Sequence, residues 1–125
     1  QVIILGSDKE REHAESIIQT SSSNDILNLC GNTTLEDVID IMSGSKGVVA
    51  NDSGLMHLAY ASGAKVYALY GSSSPKYTPP LSTTAHIFQH KLSCQPCFER
   101  TCRFGHYKCL TCIQPQAVAE KIDYE

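Results

Sequence analysis

The chain has 125 residues, six of them cysteine, and a formal charge of −3 with 42% hydrophobic residues. That length fits one domain with a real core. The mild negative charge gives no basic face for nucleic acid, and no apolar run approaches a membrane span or a signal peptide.

The chain opens at Gln1 directly into Val2-Ile3-Ile4-Leu5-Gly6, a continuous apolar run that reads as a strand buried on both faces and as a piece of something longer. Ser7-x-x-Glu10 is a capping-box pattern for a helix carrying Ala14, Ile17 and Ile18 on one face. After the polar loop at 21–24, Ile26–Leu29 forms a second strand that ends near Gly31. Thr33 and Glu36 make another capping box, and Leu35, Val38, Ile39 and Met42 follow at helical spacing. Gly44 and Gly47 mark the end of that helix.

The run Val48-Val49-Ala50 then stops at Asn51-Asp52-Ser53-Gly54, and a helical pattern begins at once, with Leu55, Leu58 and Ala59 expected to face the core. Asn, Asp and Ser accept from the unpaired N–H groups of a helix start, and Gly54 leaves the backbone approachable. Such a turn offers free N–H groups and the positive end of a helix dipole, which suits a phosphate. Gly63 is placed to end the helix. Lys65–Tyr70 is a further strand, and Gly71-Ser72-Ser73-Ser74-Pro75 opens a long loop through Pro79-Pro80, shaped by its prolines. Ala85–Phe88 is a last strand. Pro115 opens a short C-terminal helix carrying Val118 and Ile122. Strands alternating with helices predict an α/β fold: a Rossmann-like parallel sheet with helices on both faces.

Five cysteines crowd into Cys94-x2-Cys97-x4-Cys102-x6-Cys109-x2-Cys112, within a Cys-rich insertion at 92–112. Two C-x2-C pairs favour a structural zinc held by Cys94, Cys97, Cys102 and Cys109. The spacing between pairs is shorter than in common zinc ribbons, and His106 is a further candidate. Free packed thiols and disulfides stand as rivals.

The turn Asn51-Asp52-Ser53-Gly54-Leu55-Met56-His57, read with Leu69-Tyr70-Gly71-Ser72-Ser73-Ser74-Pro75 and Thr78-Pro79-Pro80-Leu81, resembles the C-terminal half of the ADP-heptose:lipopolysaccharide heptosyltransferases (glycosyltransferase family 9). The likeness runs over essentially the whole chain, and Leu92-Ser93-Cys94-Gln95-Pro96-Cys97 looks like a version seen in part of the family. It implies a GT-B enzyme of two Rossmann-like domains, inverting the anomeric centre without a divalent metal. Residues 1–125 would be the nucleotide-sugar donor domain, truncated at its N-terminal side. The base, an Asp of the other domain, and a phosphate-contacting Lys have no counterpart here, so the fragment is expected to be inactive alone.

By this resemblance Ser53, Gly54 and the backbone of Leu55 hold the donor diphosphate and Asp52 contacts heptose hydroxyls, while His57, one turn into the helix and off the Leu55–Leu58 face, is expected to point at the diphosphate. Glu10 corresponds to a Glu that binds the ribose hydroxyls, and Thr33 would lie near adenine. Each has a plainer rival: Ser53 and Thr33 as helix caps, Asp52 as an N-cap carboxylate, His57 as a structural side chain, Glu10 as half of its capping box. The implied partners are ADP-heptose and, through the missing domain, a lipopolysaccharide core precursor. Cytoplasmic location with peripheral contact to the inner membrane follows, and no nucleic acid. Competing readings are a zinc-organised, non-catalytic interaction module on a Rossmann-like frame, or another nucleotide-sugar GT-B enzyme.

Overall fold

A computed structural model describes residues 1–122, which form two compact units, one over Gln1–Asp40 and one from Ile41 onward. In the first unit, β1 (Val2–Ile4) and β2 (Ile26–Asn28) pair in parallel, Val2 against Ile26. A 3-10 turn at Asp8–Glu10 leads into α1 (Arg11–Thr20), which crosses from one strand to the next and packs on β2. The carboxyl ends of the two strands are tied together: Gly31 N–H donates to Gly6 C=O at 2.9 Å, and Arg11 donates to Cys30 C=O and Asn32 Oδ1 at 3.1 and 3.0 Å. Ala14 and Cys30 are the buried apolar residues here beside Val38. Ile17 and Leu27 stay exposed.

The helix α2 (Leu35–Ser43) starts one residue later than the expected box at Thr33 and Glu36. Thr34 N–H donates to Asp37 Oδ2 at 2.8 Å, and Asp37 N–H donates to Thr34 Oγ1 at 3.2 Å. Two overlapping Thr-x-x-acid patterns compete at this point, and the apolar periodicity downstream is identical for both. On the helix itself Val38 and Met42 are buried, while Leu35 is exposed.

In the second unit β3 (Val48–Asn51), β4 (Val66–Tyr70) and β5 (His86–Gln89) form a parallel sheet in the order β3-β4-β5. The middle strand is the core: Val66, Tyr67, Ala68 and Tyr70 are all at most 1% exposed. The burial on both faces expected of the Val2–Gly6 run is found here instead, since Val2 and Ile3 of β1 are exposed. The crossover between β3 and β4 is α3 (Gly54–Ala61), which packs on both of them. Its buried residues are Met56, Ala59 and Tyr60, so the expected core face of Leu55, Leu58 and Ala59 is rotated by one position, with Leu55 and Leu58 half-buried. The sequence Leu-Met-His-Leu-Ala-Tyr-Ala is apolar almost all round, so periodicity does not choose between neighbouring faces.

Two short helices close the described chain. The Cys-rich segment contains α4 (Lys108–Thr111), which packs on β4, and α5 (Pro115–Ala119) follows with Pro in its first turn. Val118 is buried as expected, while Ile122 lies past the end of α5 and is half-buried. Among the described residues, no helix is long and apolar enough to cross a membrane.

Candidate functional site

The turn between β3 and α3 is a helix start without a side-chain cap. Ser53 is extended (φ −158°, ψ 170°), and its carbonyl accepts from Met56 and His57 N–H at 3.1 and 3.4 Å. Its hydroxyl makes no cap hydrogen bond, so the plain capping role is not realised. The N–H groups of Gly54 and Leu55 open the helix, where no intrahelical carbonyl lies ahead of them. A Cβ built on Gly54 would meet nothing within 4 Å, so the space over this backbone is open. Amide hydrogens and open space at the positive end of a helix dipole are what an anion needs.

Asp52 stands immediately before this turn, its side chain 13% exposed. It does not cap the helix either. Oδ2 accepts from the Thr78 hydroxyl at 2.7 Å, and Oδ1 lies 3.9 Å from His57 Nε2. The structure therefore gathers Asp52, Ser53, Gly54, Leu55 and His57 around one helix start, as expected from the sequence. Two further hydroxyls belong to this neighbourhood. Tyr70 donates to Thr78 C=O at 2.6 Å, and burial, with Asp52 nearby, pushes its phenol up to about 12. Tyr60 is 8% exposed, its hydroxyl has no partner, and burial followed by the Asp52 charge raises its pKa.

Thr78 is the residue that sequence reasoning passed over. The loop after β4 looked like a shaped turn without chemistry. In the structure, Ser74 C=O accepts from Tyr77 and Thr78 N–H at 3.0 and 3.1 Å, a single helical turn after Pro75, and this brings Thr78 back to Asp52. A Thr two turns away in a Ser/Pro-rich loop carries no local signal of such a contact.

Glu10 and Thr33 lie in the first unit, on the segments that follow β1 and β2. One oxygen of Glu10, Oε2, accepts from both the N–H and the hydroxyl of Ser7, at 2.6 and 2.9 Å. These bonds, the backbone one first, hold its carboxyl below the usual carboxylate range. The capping role is thus realised for Glu10. Thr33 is half-buried and does not cap α2, which Thr34 does instead.

The Cys-rich segment docks on the end of β4. Cys97 and Phe98 N–H donate to Ser72 C=O at 3.1 and 3.0 Å, and the Gln95 amide donates to Gly71 C=O. A Cβ on Gly71 would sit 2.7 Å from the Leu110 side chain, which would have to shift. Cys94, Cys97, Cys102 and Cys109 do line a common cavity of about 80 Å³, together with His106. They are not brought together as ligands: all six cysteines are free, and among the described residues no three His, Cys, Asp or Glu side chains are arranged to hold a metal ion. His106 Nδ1 already accepts from Lys108 N–H at 3.0 Å. The four thiols of the zinc set expected from spacing thus share one cavity with His106. Sequence spacing puts cysteines on neighbouring turns without fixing the direction of their side chains.

Within that cavity the thiols differ. Backbone N–H groups, that of Tyr107 first and then those of Phe104, His106 and Gly105, pull the Cys102 thiol below its ordinary value. Burial, then the charge on Cys102, pushes Cys109 up.

Residues 1–108 match the family model for glycosyltransferase family 9 (heptosyltransferase). The chain belongs to this family. Lipopolysaccharide heptosyltransferase 2 of Salmonella typhimurium is 36% identical over 125 residues, covering 98% of this chain and 36% of that protein. Lipooligosaccharide heptosyltransferase 2 of Haemophilus influenzae is 42% identical over 91 residues, 70% of this chain and 26% of the relative. Among solved structures, ADP-heptose LPS heptosyltransferase II of E. coli aligns at a TM-score of 0.70 and 37% identity over 76% of this chain and 30% of that one. A family 9 glycosyl transferase from Veillonella parvula, 22% identical, shares the fold at a TM-score of 0.76 over 94% of this chain and 34% of that one. This heptosyltransferase-family chain spans about a third of the length of the relatives it matches.

Proposed function

We propose that the chain is the donor-binding part of an inverting glycosyltransferase that moves heptose from ADP-heptose to the lipopolysaccharide inner core. The observation that carries this reading is the uncapped start of α3 with the Asp52 carboxylate fixed beside it. The Gly54 and Leu55 amides take the diphosphate, and His57 faces it. Asp52, with Oδ1 and its remaining lone pairs, accepts from the hydroxyls of the heptose and so orients its anomeric carbon.

In the reaction, an acceptor hydroxyl loses its proton to a base outside this chain, and its oxygen forms the new bond to the anomeric carbon. The bond from that carbon to the phosphate oxygen breaks, its electron pair staying on the departing ADP. Negative charge grows on that oxygen during bond cleavage, and fixed N–H groups at a helix start stabilise it more than the ground state, which lowers the barrier. The acceptor is bound by the part of the protein outside this chain, at the cytoplasmic face of the inner membrane.

Titration of the full-length protein with ADP-heptose tests the reading. Asp52→Ala is expected to weaken donor binding roughly tenfold with the fold intact, the loss of a charge-assisted pair to the sugar. ADP is expected to compete where UDP does not. A well-folded protein that binds neither ADP nor ADP-heptose would overturn it.

A further inference from the structure

The loop from Gly71 to Leu81 has no assigned part in the reaction, yet it ends on the carboxylate that steers the sugar. Thr78 is clamped at three points. Its carbonyl accepts from Tyr70 at 2.6 Å, and its N–H donates to Ser74 C=O at 3.1 Å. Its hydroxyl has one proton and two acceptors, Asp52 Oδ2 at 2.7 Å and Ser74 C=O at 3.2 Å, and the shorter contact takes the larger share. Ser74 is itself buried, 8% exposed, and Tyr70 is fully buried on the central strand. The loop is also braced from outside: Tyr77, next to Thr78, meets Phe98 edge-on with ring centroids 5.4 Å apart. The hydroxyl is thus presented by a rigid support to one oxygen of an otherwise rotatable carboxylate.

We propose that Thr78 is a positioning residue for sugar transfer, its hydroxyl holding Asp52 in the rotamer that leaves Oδ1 to the heptose. This rests on the assignment of Asp52 to the sugar. A carboxylate free to rotate about its side-chain torsions presents its oxygens in several directions, and only one fits the reacting geometry. Small errors of placement at a reacting centre cost rate steeply.

The test uses the full-length protein with ADP-heptose and, separately, ADP, which has no sugar. Thr78→Val removes the hydroxyl and keeps the shape. It is expected to lower kcat by about 10- to 100-fold. ADP-heptose affinity falls and ADP affinity stays at the wild-type value. Thr78→Ser restores kcat to within about threefold, the hydroxyl alone being needed. In an Asp52→Ala background, Thr78→Val adds less than about twofold, because the two residues act as one unit. If Thr78→Val fails to fold, the pair Thr78→Ser and Thr78→Ala carries the same comparison.

Three results would overturn the positioning role: wild-type kcat in Thr78→Val or Thr78→Ala, losses that multiply with Asp52→Ala, or equal weakening of ADP and ADP-heptose. Full activity in Asp52→Ala would instead remove the reading underneath it, whatever Thr78 does.

Discussion

Asp52 shows how a single side chain acquires direction. One oxygen accepts from Thr78 and the other faces His57, so the two oxygens of the carboxylate have different surroundings. The Tyr60 hydroxyl nearby is buried without a partner, and it makes a sharp residue-scale prediction. An unsatisfied buried hydroxyl costs about 1–3 kcal/mol, so Tyr60→Phe is expected to raise stability by about 1 kcal/mol in urea denaturation. A loss of similar size would mean that the hydroxyl is bonded in the working protein. Cys102 and Cys109 make a second one. Backbone amides favour the thiolate of Cys102, and burial disfavours that of Cys109. Near neutral pH, limited alkylation followed by peptide mapping is therefore expected to label Cys102 first. Equal labelling, or Cys109 first, would contradict that ordering.

At the level of elements, the two capping boxes and the docked cysteine segment carry the testable energetics. Glu10 has a pKa lowered by Ser7, so its contribution to folding is fully present above the unfolded Glu value near 4.3 and is lost as pH falls through the lower folded value. Ser7→Ala removes the hydroxyl from this pair and is expected to cost about 0.5–1 kcal/mol at neutral pH, with the difference from wild type shrinking in acid. Urea melts at pH 7 and pH 3 check it, and a difference that grows in acid would count against the box. Gly71→Ala puts a Cβ 2.7 Å from the side chain of exposed Leu110, which can turn aside, so urea melts are expected to show a cost of no more than about 1 kcal/mol. The elements themselves were largely legible: the runs at Val2–Ile4, Val48–Ala50 and Val66–Tyr70 are strands, and Pro115 opens a helix. What was not legible was phase. Thr33 and Thr34 offer equivalent boxes one residue apart, and α3 is too uniformly apolar to declare its buried face from its own letters.

For the whole molecule, the family and its parallel α/β fold were legible because two motifs, around Asp52 and around Thr78, stand in order along the chain. The contact between them was not, since a side-chain hydrogen bond across 26 positions leaves no trace in periodicity or composition. The same limit holds for the cysteines, whose spacing does not tell that four of them line one cavity with His106. The central claim is that the start of α3 grips the diphosphate, and Gly54 lets that claim be tested without disturbing the fold. Alanine is a better helix former than glycine, and its Cβ would enter open space in the unliganded protein. Calorimetric titration of full-length Gly54→Ala with ADP is the most direct measurement. Affinity about tenfold below wild type, with an unchanged or higher Tm, is the expected result, since the added methyl would crowd a phosphate held by the adjoining amides. Wild-type affinity for ADP in that variant would contradict the account.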